Sequence, residues 1–138
     1  MKRSVMREHI AQMLFIVEFH ERNDIAEQAN AYIEQLEDCP KGAAKFMMER
    51  FNAIVEKFKE LDEIISEVSV GWKIDRMSKI DLTILRLAVY EIKMDDEIPN
   101  KVAINEAIEI AKKYGGDNSP SFINGILAKV VNEITDLI

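Results

Sequence analysis

Met47, Phe51, Ile54, Phe58, Leu61, Ile65 and Val68 follow one another at alternating steps of four and three residues. That spacing returns each apolar side chain to one face of an α-helix. A seam of this kind needs another helix to bury it, so the chain is committed to helix-on-helix packing. It fits one long rod, or two shorter helices broken at Asp62. It also fits two roles, core or dimer interface, and in a chain of 138 residues the core is the expected assignment.

The same period runs through the rest of the chain. From about Ser4, Ile10, Met13, Leu14 and Val17 line a first helix that stops near Glu21. Asp24 is placed to cap a second helix carrying Ala29, Ile33 and Leu36, which Cys39-Pro40 closes. Gly71 ends the seam by supplying the left-handed backbone that helix termini use. A helix from about Ser78 carries Ile80, Ile84, Leu87, Ala88 and Ile92, and Leu82 and Leu85 widen its apolar face, so it is expected to be central. After the acidic link Asp95-Asp96-Glu97-Ile98-Pro99, the residues Ile104, Ala107, Ile108 and Ala111 mark the next helix, up to Gly115-Gly116. Ser119-Pro120 reads as a cap and first helical position. The last helix carries Ile123, Ile126, Leu127, Val130, Ile134 and Leu137. The expected fold is all-α, with six or seven helices and no strand, as one domain over residues 1–138.

Charge and chemistry narrow the function classes. With a net charge of −7 and a pI near 4.9, most of the surface repels a polyanion, so any nucleic-acid site must be local. Lys2, Arg3 and Arg7 all precede the first acidic residue, Glu8, which makes the amino terminus the basic end. A single cysteine, Cys39, and two histidines, His9 and His20, give neither an internal disulfide nor metal-ligand spacing, so no cofactor or metal is expected. No apolar run reaches membrane-spanning length, and the cytoplasm is the expected location. The phosphate-loop, dinucleotide, zinc-protease and nucleophile-elbow patterns are all missing. Gly115-Gly116 follows a helix rather than a strand and reads as a turn. Asp95-Asp96-Glu97 lacks the alternating oxygen ligands of a calcium loop and reads as solvated. His9, with no serine or cysteine to activate, reads as a surface or half-buried residue. The chain is not expected to be an enzyme.

Several segments, in order, carry a family resemblance. They are Arg7-Glu8 with Gln12-Met13-Leu14-Phe15; Gly71-Trp72; Asp81 with Ile84-Leu85-Arg86-Leu87-Ala88-Val89-Tyr90-Glu91; Ile98-Pro99-Asn100-Lys101-Val102-Ala103-Ile104-Asn105-Glu106-Ala107; Ala111-Lys112-Lys113-Tyr114-Gly115; and Phe122-Ile123-Asn124-Gly125-Ile126-Leu127. This set resembles the NusB family of transcription antitermination factors. The resemblance implies two small packed helical bundles and a role without a chemical step. The implied partners are the small-subunit ribosomal protein NusE, boxA-type single-stranded RNA and the transcription elongation complex acting on ribosomal RNA operons.

It also implies residue roles. Lys2, Arg3 and Arg7 match the family's basic amino-terminal RNA contacts, with Gln12 and Phe15 following on the first helix. Ser4 and Val5 interrupt the usual basic run. Asn118, Ser121 and Phe122 match a second RNA region at the start of the last helix, where stacking and amide hydrogen bonds read unpaired bases. Asn118 is uncharged where the family often has an acid. Core packing is the competing role for Phe122, and a cap or turn for Asn118. Asp81 matches a NusE-facing position, against the alternative of an acid favoured by the helix dipole. Trp72 is expected to pack between bundles, and Arg86 to pair with Glu106 or Glu91. The competing function is a dimerising or scaffold protein of the same fold without strong RNA binding.

Overall fold

The computed structural model describes the backbone of residues 1–136, and the side chains of all of these except Arg22 and residues 133–136. The apolar positions expected at Ile134 and Leu137 lie outside the residues whose side chains are described. Among the described residues there are seven α-helices, two short 3-10 turns and no strand. The helices are α1 (Arg3–Val17), α2 (Ile25–Glu34), α3 (Lys41–Glu56), α4 (Phe58–Val68), α5 (Lys79–Met94), α6 (Asn100–Tyr114) and α7 (Ser119–Asp136). They group into two compact units, Met1–Glu56 and Lys57–Ile138.

In the first unit α1 packs on α2 and α3. Its core takes Ile10, Met13 and Leu14 from α1, Ala29 and Tyr32 from α2, and Met47, Phe51 and Ile54 from α3. Asp24 stands before α2 as expected but makes no capping bond through its side chain. It ends a 3-10 turn instead, its backbone N–H donating to the Glu21 carbonyl at 2.9 Å.

The apolar seam is two helices, and the break falls at Lys57 rather than Asp62. Of its seven positions six are at most 2% exposed, and Phe58 alone is half-buried. Burial this complete within a single chain assigns the α3 part of the seam to the core of the first unit and the α4 part to that of the second. Asp62 has a different task. Its carboxylate takes a two-pronged grip on Arg86, with Nε to Oδ1 at 2.8 Å and a terminal nitrogen to Oδ2 at 2.9 Å. The guanidinium lies 4.2 Å from the centre of the Phe58 ring. One turn of α4 thus supplies both the charge and the aromatic face that a largely buried arginine needs.

The second unit is built on α5, which packs on α4, α6 and α7. Residues 82–89 are all buried, more than one face of a helix, which matches its expected central place. Ser78 caps it by accepting the Asp81 backbone N–H at 3.1 Å, and the Thr83 hydroxyl returns to the Lys79 carbonyl at 2.7 Å. Two glycines shape the ends of helices here. Gly71 has φ of +85°, the left-handed turn that follows α4. At Gly115 a Cβ would lie 2.6 Å from the Ser119 side chain and 2.8 Å from the Ala111 carbonyl oxygen, so no larger residue fits between α6 and α7.

Candidate nucleic-acid interface

On α1 the basic end is thinner than its sequence suggests. Lys2 and Arg3 are exposed, but Arg7 is only 9% exposed and sits among the buried residues of α1. One helical turn and a half further on, Gln12 is half-buried, and its Oε1 accepts from the Tyr32 hydroxyl at 2.9 Å. The same hydroxyl oxygen lies 2.7 Å from Nδ1 of His9. His9 is half-buried, as expected, and its ring meets Tyr32 edge-on at 5.8 Å. Phe15, also half-buried, meets Phe19 edge-on at 5.1 Å. Phe19 was not among the expected site residues, yet at 61% exposure it is the more open of the pair. The signal available in the sequence was its place four residues after Phe15, one helical turn along.

In the second unit the start of α7 is a compact turn. The Gly116 N–H donates to the Ser119 hydroxyl at 3.0 Å, and the Phe122 N–H donates to the Asn118 carbonyl at 3.0 Å. Asn118 therefore holds the cap position expected of Ser119, and Ser119 is buried as the first helical residue. The Ser121 hydroxyl donates to the same Asn118 carbonyl at 3.2 Å.

Asn118 and Phe122 line a hollow of 390 Å³ together with Trp72, Arg76 and Asp81. Trp72, expected to pack between bundles, is 55% exposed and meets Phe122 edge-on at 5.6 Å and 71°. Both rings also line a second hollow of 270 Å³ with Ser121 and Lys129. Phe122 is half-buried, so it supports the aromatic ridge while leaving part of its ring open. The Asp81 carboxylate keeps one buried oxygen, Oδ1, without a hydrogen-bond partner. Such an atom is costly unless a donor reaches it.

The structure thus places Arg3, Arg7, Gln12 and Phe15 on one helix of the first unit, with Lys2 just before it, and Asp81, Asn118, Ser121 and Phe122 around one aromatic ridge of the second. At the ridge, Trp72 and Arg76 are additions to the residues expected from sequence, as Phe19 is on the first unit. Among the described residues, no group of three or more His, Cys, Asp or Glu side chains is placed to hold a metal ion.

Fold and surfaces together define an all-α protein of two helical units, with its candidate binding chemistry in aromatic rings, amides and a few local charges. The chain belongs to the NusB family, whose sequence model matches residues 4–132. It is 53% identical over 132 residues to the transcription antitermination protein NusB of Lachnoclostridium phytofermentans, covering 96% of this chain and all of that protein. The solved structure of T. maritima NusB superposes with a TM-score of 0.88 at 35% identity, covering 96% of this chain and 92% of that one. A structure of the antitermination factors NusB and NusE in complex with double-stranded RNA shares the fold, with a TM-score of 0.83 at 21% identity over 95% of this chain and 96% of the matched one.

Proposed function

We propose that this chain is a transcription antitermination factor that binds boxA-type single-stranded RNA jointly with the ribosomal protein NusE, and so keeps the elongation complex processive on ribosomal RNA operons. The observation that carries this reading is end-to-end similarity to an antitermination protein at 53% identity. The surfaces agree with it. Aromatic rings beside amides suit unpaired bases, whose faces stack and whose edges take hydrogen bonds. Residues 1–138 act as one RNA-binding domain, by binding alone and without a chemical step. The cytoplasm is the matching location, and no described helix is long and apolar enough to cross a membrane.

In this reading Lys2 and Arg3 neutralise phosphates, Gln12 and Phe15 receive a base on α1, and Asn118, Ser121 and Phe122 receive another at the start of α7. Asp81, with its unsatisfied oxygen, takes a donor from NusE. Arg7 supports α1 from within. The chain's net charge of −7 makes RNA binding by this protein alone weak, and the partner supplies the missing affinity.

The test is titration of boxA-containing and scrambled single-stranded RNA with this protein, with NusE, and with both together. The expected result is at least a tenfold gain in affinity for the boxA sequence when the partner is added. An affinity indifferent to both partner and sequence would leave the scaffold reading in its place.

A further inference from the structure

Gly125 stands in the interior of α7, which runs from Ser119 to Asp136. A glycine there weakens a helix, because it has the most backbone freedom to lose. Nothing in the described chain asks for it. Its backbone is not in the left-handed region that Gly71 occupies. At Gly115 a Cβ would lie 2.6 Å from the Ser119 side chain, whereas a Cβ at Gly125 would meet nothing from the rest of the chain within 4 Å. Neither turn nor packing requires the glycine, and the missing side chain leaves room on the exposed face of α7.

That room belongs to a hollow. Gly125 lines the one of 270 Å³ together with Val70, Trp72, Ser121, Phe122 and Lys129. Trp72 and Phe122 are the two residues it shares with the 390 Å³ hollow of Asp81 and Asn118, so the pair of rings divides one from the other. The two sides differ in charge. In the larger hollow Arg76 stands with two acids, Asp81 and Asp117, while the smaller is lined by Lys129 and by no acidic residue. Lys129, two helical turns beyond Phe122, is also the only lysine or arginine from Asn118 to Ile138. On a chain with a net charge of −7, a wall with a cation and no carboxylate is where a phosphate is attracted. Val70, 79% exposed, adds an apolar face beside the rings. The volume falls just under the range that holds a drug-sized molecule, about 300–1,000 Å³, and suits one nucleobase better than a segment of protein. A bare glycine lets such a flat group come close to the helix backbone.

We propose that the hollow over Gly125 is a second nucleotide subsite: single-stranded RNA stacked at the ridge of Trp72 and Phe122 crosses it and lays its next base against Gly125 and Val70, with a phosphate at Lys129. The proposal rests on the RNA-binding reading above and adds to it one nucleotide of footprint and two residues, Gly125 and Lys129.

The experiment measures binding of the full chain with NusE to boxA-containing single-stranded RNA, and of NusE to the full chain without RNA. Gly125→Ala and Gly125→Leu place better helix formers in α7, so the melting temperature should hold or rise. RNA affinity should fall about threefold with alanine and about tenfold with leucine, the loss of one stacked base. A set of RNAs lacking one base at a time gives the position. One such removal should cost the native protein about tenfold and Gly125→Leu less than about twofold. Lys129→Gln should reduce the log–log salt slope by about 0.7, one phosphate. Should leucine prevent folding, Gly125→Ala and Lys129→Gln decide the matter. RNA affinity unchanged by the Gly125 variants, or a salt slope unchanged in Lys129→Gln, overturns the subsite while the RNA-binding reading stands. An equal loss of NusE binding without RNA gives the hollow to the protein partner and likewise overturns it. Absence of RNA binding by the native protein with NusE overturns both.

Discussion

On α1 the polar side chains are tied to one another before any ligand arrives: His9 to Tyr32 at 2.7 Å and Tyr32 to Gln12 at 2.9 Å. Around the start of α5 and α7 the opposite holds, because Asp81 keeps a buried carboxylate oxygen without a partner and Trp72 leaves more than half its surface open. The difference separates two ways of building a recognition surface. A side chain already held by its neighbours loses little freedom on binding. An unsatisfied acceptor beside an aromatic ridge costs about 1–3 kcal/mol in the free protein and recovers it only when a partner supplies the donor. In the proposed reading, the first unit meets RNA with polar groups already paired, and the second keeps an acceptor for its partner.

The largest effect that tests this contrast lies in the second unit's support. α5 carries Asp81 at one end and Arg86 in its middle, and the Asp62 carboxylate grips Arg86 with side-chain exposures of 11% for the arginine and 29% for the aspartate. Asp62→Ala removes the two-pronged partner of a largely buried guanidinium and should destabilise the protein by about 3 kcal/mol, read as a fall in the midpoint of urea unfolding. A loss below 1 kcal/mol would mean that the surrounding groups satisfy Arg86 without Asp62, and that the ridge does not depend on this pair.

An effect of intermediate size separates the ridge from the core. Trp72→Ala removes an exposed ring, so its expected price in stability is under about 1 kcal/mol. Loss of a stacking face costs about 1–3 kcal/mol per base, so affinity for boxA RNA with NusE should fall by about tenfold or more. Fluorescence anisotropy beside a thermal melt distinguishes the two. Unchanged RNA affinity would reduce the ridge to a surface feature and leave α1 as the reading surface.

Period was the legible part of the sequence, and pairing was not. Helix α5 and the seam stand where apolar spacing placed them, because burial of a 3.6-residue stripe is dictated by local sequence. The break at Lys57 rather than Asp62 was hidden, since residues 56–57 and Asp62 are equally polar and only packing chooses between them. Arg86 was correctly expected to need a carboxylate. Which one depended on how α4 lies against α5, and Asp62, 24 residues away in sequence, was not expected as its partner. The hydroxyl of Tyr32 escaped notice for the same reason, since nothing near it in sequence announces Gln12. Trp72 was expected to pack between bundles, and its exposed place against Phe122, just after the left-handed turn at Gly71, is not written in the local spacing.

The smallest effect bears on the basic end of α1, where Arg3 and Arg7 look alike in sequence but differ in exposure. For single strands the salt dependence of binding changes by about 0.7 in log–log slope per phosphate neutralised. Lys2 and Arg3 acting together therefore give a contribution of about −1.4, and Arg3→Ala should remove half of it while leaving the melting temperature unchanged. Arg7 is 9% exposed, so Arg7→Ala should do the reverse, lowering stability by about 1–2 kcal/mol through lost packing and lost polar partners and leaving the salt slope of the folded protein nearly as it was. Titrations of RNA at several salt concentrations, run on both variants, read the slope and the melt side by side. Equal slopes lost in the two variants would place Arg7 on the RNA and make the amino terminus a three-charge contact. A slope lost only with Arg3 confines the electrostatic part of the site to the first three residues, and leaves base reading to the rings and amides behind them.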